Sequence, residues 1–320
     1  MKRAGFHLIT LLLVLVLAAC ASGPVSDPTE PAAGESRAGP SEREAAWRDA
    51  AMAWRERRLD RLTEPYGWLS LTGLDFVDDG RWTVGASGNA DIVMPAGPGD
   101  WGVLIVDGSA ARFEPASNSV RVDGLRGVPG LLVQPGRTEP VWVEAEDVRL
   151  QIIERNGRLA VRTRWPRAET RTGFKGLDYF AFDPDWRVEA RFEYHPPGTT
   201  MPVGSVLGDV TEEPNLGAAV FEYGDETYRL EAQAAADDEE LFFVFADRTT
   251  GRETYGAGRM LYAPMPGEDG RTVLDFNRAY NPPCTFTEYS TCPLPPPENR
   301  LDVRVTAGEK DYAGEKGYLQ

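Results

Sequence analysis

The chain has 320 residues, with 34 Lys+Arg against 50 Asp+Glu, a formal net charge of −16, and 42 % apolar residues. That length buries a real core in one or two domains, and that sign repels phosphate backbones, which excludes ordinary nucleic-acid binding. The 33 Gly and 25 Pro mark a turn-dense globular protein, and with only His7 and His195, multi-histidine zinc sites and His-assisted nucleophiles are poorly supplied.

Lys2 and Arg3 precede an apolar run from Leu8 to Ala19 that is too short to span a bilayer and ends in Leu17-Ala18-Ala19-Cys20. A basic start, a short apolar stretch and small residues before a break predict a secretory signal peptide over residues 1–19. The tetrapeptide ending in Cys20 resembles a bacterial lipobox. The resemblance implies cleavage before Cys20 and diacylglyceryl modification of its sulfur, and several acyl chains on one residue anchor stably where one does not. The expected partner is thus a membrane, reached through lipid, and the expected location is the cell envelope. Ala21 and Ser22 lack the Asp that holds such proteins in the inner membrane, which favours the outer membrane, facing the periplasm, in a Gram-negative host. Loss of Lys2 and Arg3 with the signal moves the charge from −16 to −18, so lipid and not a basic patch must hold the protein.

Residues 20–40 are Ala, Ser, Gly, Pro and scattered charge without apolar periodicity, and read as a tether. An amphipathic helix is predicted over 41–63. Ser41 and Glu44 have capping-box spacing, and Trp47, Ala50, Ala51, Trp54, Arg58 and Leu62 follow at i, i+3, i+4 intervals. The simplest role for that stripe is packing on the domain that follows.

From Tyr66 the period changes to two, and residues 64–165 read as an N-terminal β-sandwich module. Its expected strands are Arg81–Val84, Asp91–Met94, Val103–Val106, Val120–Val122, Val141–Glu144, Val148–Ile153 and Leu159–Thr163. Asn156-Gly157 between the last two is a tight-turn signature, because such turns need positive φ at both central residues. Gly80–Gly85 followed by Asp91–Pro95 resembles the opening of a forkhead-associated sandwich, over about 60 residues to Gly124. The resemblance implies the fold and not the phosphothreonine ligand. Ala86 stands where that family needs Arg, and no His lies between His7 and His195.

Residues 166–320 read as a second packed β module, so the expected class is mainly β, two sandwich-like modules with one N-terminal helix. Its expected strands are Arg187–Tyr194, Ala218–Tyr223, Tyr228–Ala232, Leu241–Phe245, Met260–Tyr262, Val273–Phe276 and Leu301–Val305. Gly224-Asp225 marks a hairpin turn, and the unalternating Leu241–Phe245 marks a strand covered on both faces. The acidic run Asp237–Glu240 lacks the spaced oxygens and glycine of a calcium loop, and no metal or other cofactor is expected.

The densest cluster of unusual residues comes last. It holds Thr254-Tyr255-Gly256-Ala257-Gly258-Arg259, Leu274–Cys284, Thr291–Pro296, Glu298-Asn299-Arg300-Leu301 and Ala307-Gly308-Glu309-Lys310. These motifs, with Gly67–Leu74 upstream, resemble the domain-of-unknown-function 1684 family over residues 45–310. That resemblance implies kinship and fold but no activity. Its prolines fix φ and remove donors, so the segment around Cys284 reads as an ordered, non-repetitive loop. Cys284 and Cys292 close a short loop in an exported chain, for which a disulfide is the default. A metal site would need further ligands, and a redox pair more often shows Cys-x-x-Cys spacing.

Around this loop Tyr255, Arg259, Asp275, Asn277, Tyr280, Asn281, Glu298 and Asn299 are candidate binding residues. Arg259 would pair an anion, Asp275 and Glu298 would be acid/base candidates, and Asn and Tyr would give directional hydrogen bonds. The alternative is an internal Arg259–Asp275 ion pair, with the Asn side chains satisfying loop backbone. Two functions remain open. One is a lipid-anchored module binding a small molecule, glycan or peptide, or another envelope protein. The other is a His-independent hydrolase using Asp275 and Glu298, although no residue can be assigned as catalytic.

Overall fold

A computed structural model describes residues 40–133, 137–315 and 317, so the signal peptide, Cys20 and nearly all of the tether lie outside the described residues. Helix α1 (Pro40–Thr63) turns most of its stripe inward: Ala51, Arg58 and Leu62 are buried, Trp47 and Trp54 are half-buried, and Ala50 is exposed. Its buried face meets three short turns of 3-10 helix, Trp68–Ser70, Pro184–Trp186 and Phe276–Arg278. Residues Pro40–Gln320 form one unit.

The next eleven strands are β1 (Leu71–Val77), β2 (Gly80–Gly85), β3 (Ile92–Val93), β4 (Gly102–Asp107), β5 (Ala110–Pro115), β6 (Arg121–Val122), β7 (Leu125–Arg126), β8 (Gly130–Leu131), β9 (Val143–Ala145), β10 (Val148–Arg155) and β11 (Arg158–Arg164). They form a six-stranded sheet, β1-β11-β10-β9-β6-β7, and a five-stranded sheet, β3-β2-β4-β5-β8. Val84, Trp101, Leu104 and Phe113 share one buried cluster with Val143, Val148, Leu150 and Val161, so the two sheets face each other as a sandwich. The β10–β11 hairpin closes through Asn156 at φ 53° and Gly157 at φ 72°, the left-handed pair that this turn demands.

The second half contains β12 (Arg187–Tyr194), β13 (Thr200–Gly204), β14 (Val210–Tyr223), β15 (Glu226–Gln233), β16 (Glu240–Phe245), β17 (Arg259–Pro264) and β18 (Arg271–Asp275). The order is β17-β16-β15-β14-β12-β18, with β13 on β14. Strands β17 and β18 also approach each other. The module is therefore one sheet rolled into a nearly closed barrel, where two sheets were expected. Its interior is aromatic: Trp186 stacks on Tyr223 at 4.0 Å, and Phe276 meets Trp186 and Phe245 edge-on at 5.7 and 5.4 Å. Burying such rings supplies the large apolar area that a single sheet needs.

One expected strand is absent. Leu301–Val305 forms no ladder. Its bonds are scattered among several partners: the Leu301 N–H donates to the Ala246 carbonyl at 2.8 Å, the Val303 carbonyl accepts from the Arg248 N–H at 2.9 Å, and the Arg259 guanidinium takes the carbonyls of Val305 (3.0 Å), Ala307 and Glu309 (3.3 Å). A side chain satisfies the acceptors that a neighbouring strand would have used.

Candidate functional site

Most of the candidate residues hold the barrel and its loop together. Arg259 is fully buried and pairs with Asp247 at 2.6 Å, not with Asp275. Burial lowers its pKa, and the Asp247 charge opposes that effect. Asp275 instead accepts from the Asn277 N–H and lies 3.2 Å from the Arg278 Nε. The Asn277 amide donates to the Asp183 carbonyl at 2.8 Å and accepts its N–H at 3.0 Å. Tyr255 is buried, with its hydroxyl donating to the Cys284 carbonyl at 3.1 Å.

Asn299 does the work of a missing strand pair. Strands β15 and β16 are in register only at Gln233 and Phe242. Two positions along, the Asn299 side chain inserts between them, accepting from the Glu231 N–H at 2.7 Å and donating to the carbonyls of Glu231 (2.9 Å) and Val244 (3.0 Å). Glu298 beside it is exposed on its short turn. Neither Asp275 nor Glu298 lines the three clefts described here.

The expected Cys284–Cys292 disulfide is not formed: both are buried free thiols, and the proline-stiffened loop places the Cys284 N–H 3.0 Å from the Cys292 Sγ. The sulfurs differ. Hydrogen bonding to Cys292 and burial push the Cys284 thiol up. Burial acts the same way on Cys292, but bonds from Cys284 and Ser290 and the nearby Arg162 charge bring it below the usual thiol range. His195, the single histidine among the described residues, hydrogen-bonds Glu231 at 2.8 Å. Burial would raise the Glu231 carboxyl, but bonds from His195, Arg229 and Asn215 hold it low.

Tyr280 has a different setting. It lines a cleft of about 850 Å³ between α1 and the barrel edge, facing Trp54, Trp68 and Tyr262 at ring separations of 6.0, 6.5 and 6.2 Å. Tyr262 is 49 % exposed, so the aromatic wall is open to solvent. The guanidinium of Arg58 lies 4.9 Å from the ring centres of both Trp68 and Tyr280. It is fixed there by Glu309 at 2.9 Å and the Asn281 carbonyl at 3.0 Å. Asn281 is fixed in turn, its N–H on Glu309 at 2.8 Å and its amide on the Lys310 carbonyl at 2.8 Å.

Arg57, Arg58, Arg61, Arg164 and Arg278 line the cleft against two acids, Glu64 and Glu240. A locally cationic hollow with aromatic walls thus sits in a strongly acidic chain. The spacing placed Trp54 and Arg58 on one helix face, and an arginine on an otherwise apolar stripe was the available signal. Trp68, Arg164 and Tyr262 come from distant parts of the chain, and no local pattern connects them.

Residues 172–310 match the family described as "Protein of unknown function (DUF1684)". The Gly67–Leu74 motif lies outside the matched span. A solution NMR structure of an uncharacterized protein of Haloarcula marismortui is 38 % identical, covering 44 % of this chain and 78 % of that one, at a TM-score of 0.37. No curated protein matches the chain at a significant level. Through residues 172–310, the chain belongs to the domain-of-unknown-function 1684 family.

Proposed function

We propose that the chain is a lipid-anchored envelope protein whose cleft binds a ligand offering a flat ring face and negative charge, with acidic saccharides as the representative class. The supporting observation is the cleft itself: Arg58 held against the rings of Trp68 and Tyr280, with Arg57 and Arg61 at the exposed rim. Aromatic faces stack on sugar rings, and guanidinium groups pair carboxylates bidentately. The opposite sign of the surrounding protein selects against casual anions, so an acidic ligand must reach this hollow to gain anything.

Calorimetry with a uronic-acid oligosaccharide and its neutral counterpart tests the reading. The acidic compound binds, the neutral one binds weakly, and the Arg57→Ala/Arg61→Ala double variant weakens the acidic complex about tenfold, falling further at high salt. Equal affinity for both sugars, or for wild type and double variant, removes the proposal. The hydrolase alternative draws no support from the placement of Asp275 and Glu298.

The anchor rests on the basic start, the apolar run Leu8–Ala19 and the tetrapeptide Leu17–Cys20. Palmitate labelling is expected for the wild type and absent for Cys20→Ala. Equal labelling of the two would overturn the lipid attachment.

A further inference from the structure

Trp68 and Arg164 line a second, smaller chamber of about 180 Å³ as well as the cleft. Arg155, Arg162 and Arg164 of the β10–β11 hairpin form one of its walls. They lie on one face, because Arg162 and Arg164 are two apart on β11 and Arg155 sits opposite Arg158 across the register. The proline-rich loop supplies the opposite wall with Ser290, Thr291 and Cys292. No carboxylate lines the chamber.

The two arginines buried most deeply are both neutralised. Arg259 has Asp247 and three carbonyls, and Arg58 has Glu309. The chamber arginines are treated differently. Among the described residues, none of the three is in an ion pair, and Arg162 has no hydrogen-bond partner either. Arg164 donates to the carbonyls of Tyr66 and Gly67, and Arg155 to Thr291 (3.1 Å) and to the carbonyl of Glu154 (2.6 Å). The Nε atoms of both Arg162 and Arg164 are buried without an acceptor. Burial, with repulsion from Arg155 and Arg164, pushes Arg162 down to about 10, and the Cys292 sulfur in the opposite wall is the one group that pulls it the other way. A half-buried guanidinium without a carboxylate is incompletely compensated, and an oxyanion entering a small space lined by three of them supplies the missing charge and acceptors.

We infer that the chamber is a binding site for a tetrahedral oxyanion, phosphate or sulfate, either free or as the ester end of a ligand whose ring lies in the cleft. The ester clause rests on the proposed function; the chamber assignment does not.

The test uses inorganic phosphate, inorganic sulfate, acetate and a hexose phosphate at constant ionic strength, followed by calorimetry and thermal unfolding. Phosphate and sulfate bind one to a chain and raise the melting temperature, and acetate does neither. Arg162→Met lowers phosphate affinity tenfold or more. Without anion, the same variant is at least as stable as wild type, because Arg162 has no ion pair to lose and its half-buried charge is gone; a purely structural Arg162 would give the reverse. Arg155→Met, at the chamber edge, gives a smaller loss of affinity and guards against a folding artefact. Absence of saturable phosphate and sulfate binding, undiminished binding in Arg162→Met, or equal binding of acetate overturns the assignment. A hexose phosphate that binds more tightly than phosphate, and loses only that excess in Arg57→Ala/Arg61→Ala, supports both site readings. A hexose phosphate no tighter than phosphate supports the chamber and overturns its link to the cleft.

Discussion

Arg259→Met is expected to unfold about 10 °C below the wild type, a loss of roughly 3–5 kcal/mol measurable by thermal or denaturant melting. The substitution keeps the length of the side chain and removes its charge and donors. Asp247 is then left as a buried, unpaired carboxylate, and the carbonyls of Val305, Ala307 and Glu309 lose their donor. Desolvated groups without partners carry the cost, since the ion pair itself repays little more than its own burial. The double variant Arg259→Met/Asp247→Leu should therefore recover part of the loss. A single variant that melts with the wild type would show that the Val305–Glu309 segment does not depend on the guanidinium.

Glu309→Ala is expected to cost a similar amount, about 3–5 kcal/mol, and to disturb binding as well as stability. Its carboxylate is wholly buried and holds Arg58 at 2.9 Å and the Asn281 N–H at 2.8 Å, with the Tyr179 hydroxyl at 3.4 Å. Removing it frees the guanidinium held 4.9 Å from the rings of both Trp68 and Tyr280, so the aromatic wall of the cleft loses its fixed backing. Glu309→Gln keeps an acceptor and loses the charge, and should fall between wild type and Ala in both measurements. Ligand affinity that stays constant across the three proteins would separate Glu309 from the cleft.

Local chemistry was legible in the sequence, and long-range pairing was not. Period-two runs and Asn156-Gly157 report on neighbours along the chain, so most strands of both modules and the β10–β11 hairpin could be read, while β1, β5, β7, β8 and β13 were not expected. The stripe on α1 could be read for the same reason. Arg58 and Glu309 lie 251 positions apart, and nothing near either one announces the other. Arg259 looked like a ligand-binding residue because a cation amid glycines and aromatics has two uses, and only burial distinguishes them. Leu301–Val305 has the composition of a strand, but its partners are Ala246, Arg248 and the Arg259 side chain, which together make no regular ladder. Of the eight candidate residues around the signature loop, Tyr280 lines the cleft, and the others mainly support the structure around it.

The Asn299 amide between β15 and β16 bears on how the chain folds. The seam it bridges lies 68 positions upstream at Glu231 and 55 at Val244. Loop closure over such a span is paid in chain entropy before any contact rewards it. During synthesis the barrel strands emerge first, and this seam stays unsealed until the proline-rich segment has followed them out. The motif that looked like a ligand loop is thus also the latch whose arrival completes the barrel.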